Sequence, residues 1–156
     1  MPVSIRPSTQ DDASLIVGLA SEFTEYLRSL GDPEPGDFSA QQYLEDGCGP
    51  TRAFSGLIAD LDNEPVGYLF YCPGYDLDLG GRILWIVDLF VTQSARGHGV
   101  ARSLMQAAAQ ICRESGGNCL SWSVYIPNKL GLCFYEHMGA EYTRDLMFMH
   151  WQIPDS

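Results

Sequence analysis

Two glycines one residue apart, Gly97 and Gly99, lie between an apolar run and a segment of helical composition. Ahead of them, Ile83-Leu84-Trp85-Ile86-Val87 and Leu89-Phe90-Val91 are rich in β-branched and aromatic residues and read as a strand. A single acid, Asp88, interrupts that strand. Behind them, Val100 to Ser115 places Leu104, Ala107, Ala108, Ile111 and Cys112 on one face of a helix. A strand, a glycine turn and a helix start aim backbone N–H groups and the positive end of a helix at an anion. Glycine lets the backbone come close to that anion. The chemistry this stretch offers is phosphate binding, of the kind a phosphate-bearing cofactor needs.

Three glycine motifs compete for the turn. A nucleoside-triphosphate loop needs Gly-Lys followed by Ser or Thr, whereas Gly99 is followed by Val100. A dinucleotide fingerprint needs a third small residue where Arg102 stands, and belongs at the first βα turn of the chain. The third pattern, R/Q-x-x-G-x-G/A, is met by Arg96-Gly97-His98-Gly99-Val100-Ala101.

The elements that must hold this turn follow from periodicity. Val3-Ser4-Ile5-Arg6 alternates like a strand, and Thr9 with Asp12 can cap the helix after it. Two helical pieces are expected, one over Ala13 to Ala20 and one over Glu22 to Leu30, stopping at Gly31. A short helix is expected over Phe38 to Leu44. Ala53–Leu61 and Pro65–Tyr71 read as a hairpin around Asp62-Asn63-Glu64, with Cys72-Pro73-Gly74 ending the second strand. Beyond the glycine helix, Leu120–Ile126 reads as a strand, Leu130–Met138 as a helix ended by Gly139, and Tyr142–Ile153 as one or two last strands. The whole, residues 1–156, reads as one mixed α/β domain without repeats or linkers.

Composition limits the partners. The formal net charge of −11 argues against nucleic acid or an anionic membrane surface and suits a cationic small molecule. No run of about 18 apolar residues is present, and no basic segment precedes an apolar one at the N-terminus, so neither a membrane span nor a signal peptide is expected. Five scattered cysteines without a C-x-x-C pair suit a reduced, cytoplasmic chain. With His98, His137 and His150 they show no metal-ligand spacing, so no metal is expected.

The turn in its setting resembles the pyrophosphate signature of the GNAT superfamily of acyl-CoA-dependent N-acyltransferases. Asn128-Lys129-Leu130-Gly131-Leu132-Cys133-Phe134-Tyr135-Glu136-His137-Met138-Gly139-Ala140 is similar to a second segment of that superfamily, and Ile5-Arg6-Pro7-Ser8 with Asp11-Asp12-Ala13 to its usual opening. Tyr43 to Gly49, Gly67 to Tyr71 with Tyr75-Asp76, and Trp85 to Val91 resemble stretches of the diamine (spermidine/spermine) acetyltransferase group. The resemblance implies an α+β fold: one mixed, mostly antiparallel twisted sheet of six or seven strands flanked by about four helices. It also implies acetyl-CoA as co-substrate, and dimers are common in the family.

The same resemblance assigns roles. Backbone groups of Arg96, Gly97, His98, Gly99, Val100 and Ala101 would hold the pyrophosphate, with Arg96 and Arg102 neutralising charge. Main-chain groups of Leu89, Phe90 and Val91, beside a bulge, would hold pantetheine like an added strand. Tyr135 would protonate the leaving thiolate, since a phenol stays protonated at neutral pH. Asn128 would bond pantetheine or substrate, cap a helix, or do both. The diamine group carries Glu-Asp in mid-strand where this chain has Val87-Asp88. Asp88 would act through a water or fix the ammonium group; Glu22, Glu25 and Asp76 are other carboxylates for the base. The expected activity is transfer of acetyl from acetyl-CoA to a small cationic amine, a polyamine, diamine or lysine-like amino acid. Asp32, Glu34, Asp37, Asp76 and Asp78, in loops expected at the acceptor cleft, favour that charge. The alternatives are a protein lysine or N-terminal acceptor, and a regulatory CoA-binding module without turnover.

Overall fold

The computed structural model describes residues 2–155. Its sheet runs in the order β1 (Val3–Pro7), β2 (Ser55–Leu61), β3 (Glu64–Asp76), β4 (Gly81–Val91) and β5 (Cys119–Ser121). Neighbours are antiparallel except β4 and β5, which are parallel. The helices are α1 (Ala13–Ser29), α2 (Ala40–Asp46), α3 (Val100–Glu114) and α4 (Lys129–His137).

Local chemistry explains most boundaries. Thr9 and Asp12 form a reciprocal capping box ahead of α1, and Ser39 with Gln42 forms another at α2. Asp12 also takes both terminal nitrogens of Arg6 at 3.0 Å, and that guanidinium holds its carboxyl below the usual carboxylate range. The β2–β3 turn is Asp62-Asn63, both at positive φ (52° and 67°), as a two-residue hairpin turn requires.

The alternation of each strand divides the apolar residues between two cores. On one face Leu57, Ala59, Leu69, Ile86 and Val91 pack with Leu104, Met105 and Ala108 of α3. On the other, Ile58, Tyr68, Phe70 and Phe90 pack with Ile16 and Leu19 of α1 and Tyr43 of α2. Side chains such as Leu104 and Ile16 are fully buried, a burial worth about 1.5–3 kcal/mol each.

Several sequence expectations are corrected. The two expected helical pieces before Gly31 are one continuous helix, because nothing between Ala20 and Glu22 breaks the 3.6-residue period. Cys72-Pro73-Gly74 does not end β3, which continues paired to β4 as far as Asp76. The ladder from β2 stops at Tyr71, so Pro73 lies where β3 has an open edge and needs no N–H. The strand expected over Leu120–Ile126 pairs only over Cys119–Ser121. Tyr142–Ile153 forms no strand, because among the described residues no backbone hydrogen bond holds the chain after Ala140. The sheet therefore has five strands rather than six or seven among the described residues. No helix among them is long and apolar enough to cross a membrane.

Candidate active site

The site begins with one extra residue. Phe70 on β3 faces Asp88 on β4, but the next residue, Tyr71, faces Ile86, so Val87 is bulged out of the ladder and is 47% exposed. A bulge reverses the alternation beyond it. Ile86, Leu89 and Val91 accordingly lie on the α3 side, while Phe90 lies on the α1 side. Asp88 shares that side and meets Tyr68, whose hydroxyl donates to Oδ2 at 2.6 Å.

The bulge also marks where the sheet opens. β5 pairs with β4 only from Ile83 to Trp85, so Ile86 to Val91 have an unpaired edge on the β5 side. This opens the β5 side of β4 to an added strand over Leu89 to Val91. The Phe90 and Val91 side chains are buried, so only their backbone can serve a ligand. The Val91 carbonyl accepts from Arg96 Nε at 3.3 Å. The Arg96 guanidinium lies 5.0 Å above the Tyr26 ring, and Tyr26 reaches across from α1 to donate to Asn128 Oδ1 at 2.9 Å. Asn128 caps α4 through the Gly131 N–H at 3.1 Å, so the capping role expected for it is present.

Past the opened edge comes the glycine turn. Gly97 (φ +81°) and Gly99 (φ +79°) are left-handed, and a Cβ on either would meet nothing within 4 Å. Backbone conformation, not packing, accounts for glycine there. The N–H groups of residues 97 to 102 donate to no acceptor among the described residues. They open α3, with Gly99 as its N-cap and no acidic side chain in the first turn. Free N–H groups at a helix start can cradle an anion. His98 steadies the turn through Nδ1 and the Ala95 carbonyl, 3.2 Å apart, and Arg102 is exposed in the first turn of α3.

Two ionisable groups flank the opened edge. Burial pushes the Asp88 carboxyl up to about 6, against the opposing pull of the Tyr68 hydroxyl and the Leu89 N–H. Tyr135, on α4, packs against Trp122 just past β5 with ring centroids 4.8 Å apart. Burial, and then the charge of Asp88, push its hydroxyl up to about 12. A carboxylate that titrates near neutrality and a phenol that stays protonated are a proton acceptor and a proton donor.

The other carboxylates considered for the base are engaged elsewhere. Glu22 accepts from Thr92 Oγ1 at 2.6 Å, tying α1 to the turn after β4. Glu25 pairs with Arg28. Asp76 accepts the N–H groups of Asp78 and Leu79 within its own turn. Asp37 lines a small pocket with Val17, Ser21, Thr24 and Phe38 between α1 and α2. No group of His, Cys, Asp and Glu suited to a metal ion occurs among the described residues. Tyr68 and Tyr26 were not found from sequence. Tyr68 stands in the Gly67–Tyr71 run, but its relation to Asp88 depends on a cross-strand register that no local spacing reveals.

Comparison with known proteins agrees with this geometry. The model of the Acetyltransferase (GNAT) family matches residues 19–140. The human spermidine/spermine N(1)-acetyltransferase-like protein 1 is 29% identical over 143 residues, covering 87% of this chain but only 20% of that protein. This chain therefore spans about one-fifth of that relative. The thialysine N-epsilon-acetyltransferase of Bos taurus is 27% identical over 147 residues, covering 89% of this chain and 84% of the relative. Among solved structures, a ribosomal-protein-alanine N-acetyltransferase from Brucella melitensis superposes with a TM-score of 0.75 over 97% of this chain and 100% of that one. At 22% identity that likeness speaks for the fold alone.

Proposed function

This chain belongs to the GNAT acetyltransferase family and is an acyltransferase, and from that premise we propose that it moves an acetyl group from acetyl-CoA to the primary amine of a small cationic acceptor. Polyamines, diamines and lysine-like amino acids form the acceptor class, and the enzyme works as a cytoplasmic homodimer. The observation that carries this reading is the row of undonated N–H groups at residues 97 to 102, continuous with the unpaired edge of β4. A pyrophosphate suits the first, and the amide-bearing pantetheine arm suits the second. Relatives named for spermidine/spermine and thialysine acetylation support the acceptor class, as does the net charge of −11.

Acetyl-CoA supplies an activated thioester; the protein's part is to place it and move protons. Main-chain groups of Leu89 to Val91 align the arm, and the cradle with Arg96 and Arg102 fixes the phosphate end. The amine nitrogen bonds to the thioester carbon, the carbon–sulfur bond breaks, and the sulfur leaves with the bonding pair. Asp88, directly or through a water, takes the proton shed by the amine, and the Tyr135 hydroxyl gives one to the sulfur. Tyr68 holds the Asp88 carboxylate in place. No cysteine forms an acyl-enzyme; transfer is direct within a ternary complex.

The test is CoA-thiol release from acetyl-CoA across a panel of polyamines, diamines, lysine analogues and peptides. Turnover on small di- and polyamines is the expected result. Turnover on peptides alone overturns the acceptor class, and CoA binding without turnover on any amine overturns catalysis.

A further inference from the structure

Tyr26 and Asn128 lie 102 positions apart, on helices that pack against opposite faces of the sheet. Ile16 and Leu19 of α1 belong to one core, with Phe23 packed on it, whereas Phe134, Tyr135 and Met138 of α4 pack on the other. A hydrogen bond between these helices must cross the sheet, and it crosses where β4 has no β5 neighbour. Arg96 marks the place. Its Nε donates to the Val91 carbonyl at 3.3 Å, and its guanidinium lies 5.0 Å from the centre of the Tyr26 ring. About one turn earlier on α1, Phe23 stacks on Phe90 with centroids 5.0 Å apart, which holds this part of the helix against β4.

The crossing bond also sets which way round the Asn128 carboxamide stands. The Gly131 N–H can only donate, so the Asn128 atom 3.1 Å from it is the oxygen. Tyr26 donates its hydroxyl hydrogen to the same oxygen at 2.9 Å. A carboxamide oxygen has two lone pairs, and both are engaged. Nδ2 keeps its hydrogens and has no acceptor among the described residues. It is not sealed inside the protein, since no buried side-chain nitrogen among those residues lacks a partner. Gly131 gives the carboxamide room to fold back in this way. A Cβ there would lie 2.7 Å from Nδ2 and 3.0 Å from Cγ, well inside van der Waals contact.

We propose that Tyr26 is a positioning residue: it crosses from α1 to hold the Asn128 carboxamide with its oxygen satisfied and Nδ2 free, so that Asn128 donates to an amide carbonyl of the pantetheine arm and not to the acceptor amine. This rests on the acetyl-CoA reading above and deepens it, because the resemblance alone left Asn128 open to either ligand. Donor polarity separates the two. An ammonium group carries only N–H donors, so a second donor has nothing to bond there. A neutral amine needs its one lone pair for the thioester carbon. The arm carries amide carbonyls, which accept, and it enters along the edge that the Tyr26 bond crosses. Orientation fixed in advance lowers the entropy lost when the arm is ordered.

The test is calorimetry of CoA binding to the full chain, with Tyr26→Phe, Asn128→Asp and the two combined. Phenylalanine keeps the ring beneath Arg96 and loses only the hydroxyl. Aspartate still caps α4 at the Gly131 N–H but has no Nδ2 to donate. Asn128→Asp is expected to raise the Kd for CoA about tenfold, and Tyr26→Phe about threefold. The double variant is expected to match Asn128→Asp, because without the donor Tyr26 has nothing to orient. In turnover the KM for acetyl-CoA rises with these values, while the KM for a diamine does not. ADP, which has the pyrophosphate but no arm, is expected to compete equally well in every form. Additive losses in the double variant mean that Tyr26 acts on its own, and an ADP affinity that falls with Tyr26→Phe means that it acts through Arg96; either overturns the proposal. So does a diamine KM that moves while that of acetyl-CoA stands still, since Asn128 then faces the acceptor. If the wild type binds CoA and Tyr26→Phe binds it equally well, this inference alone is lost. A wild type that binds no CoA sinks it together with the acetyl-CoA reading.

Discussion

The Tyr68 hydroxyl, fully buried, donates a 2.6 Å hydrogen bond to the carboxylate of Asp88. Tyr68 is on β3 and Asp88 on β4, and they meet as diagonal neighbours on one face of the ladder, where Tyr68 faces Phe90 and Phe70 faces Asp88. Tyr68's own hydroxyl is raised well above its ordinary value, by burial first and then by Asp88, so it remains a donor at every physiological pH. The bond favours the ionised carboxylate while burial opposes it, and burial wins, leaving Asp88 at about 6.

That balance sets a pH dependence. A base works ionised, so kcat/KM falls as pH drops through about 6, about tenfold per unit below it. Asp88→Asn is expected to lose about 10²–10⁴-fold in kcat/KM and to lose that acid limb. An unchanged limb in the variant assigns the titration to another group.

Tyr68→Phe removes a bond that lowers the Asp88 value, so the acid limb moves to higher pH than in the wild type. The displacement separates positioning from packing, since a merely structural tyrosine lowers activity without shifting the profile. Kinetics from pH 5 to 9 read the difference.

Stability follows the same group with a definite sign. The folded-state value lies above the ordinary 3.8, so the protonated form is the one favoured by folding. The contribution is fully present below about pH 4 and is lost as pH rises through about 6. At about 1.4 kcal/mol per pKa unit, the ceiling is about 3 kcal/mol. Asp88→Asn should therefore be more stable than the wild type at pH 8 and lose this advantage near pH 4. Denaturant midpoints at the two pH values check it, and equal midpoints at pH 8 refute it.

Tyr135→Phe keeps the ring against Trp122 and removes the proposed proton donor. The expected loss is about 10²–10⁴-fold in kcat, with CoA affinity measured by calorimetry unchanged. Loss of CoA affinity instead would make Tyr135 a binding residue.

Gly99→Ala forces a side chain into a left-handed conformation at φ +79°, where nothing in the protein obstructs a Cβ. The strain costs about 1–2 kcal/mol, so the fold persists with a lower Tm. The added methyl group enters the space expected for phosphate, and the KM for acetyl-CoA rises more than the KM for the amine. The reverse order of effects would place the anion elsewhere.

The sequence by itself determined the elements and the turn. Alternation in Val3–Arg6 and in the two hairpin strands, and the 3.6-residue period of Val100–Ser115, report which face is buried. That information is local and survives without a structure. Gly97 and Gly99 were legible for the same reason, because a left-handed backbone is a property of the residue itself. The tertiary structure alone decided what depends on distant partners. The bulge at Val87 exists only relative to Phe70 and Tyr71, so the face taken by Asp88, and its bond to Tyr68, could not be read from strand alternation. Pro73 looked like a strand end until β2 was seen to stop short of it. Residues 122–126 and 146–153 have strand composition, yet a strand is completed by a neighbour, and the described residues supply neither with one.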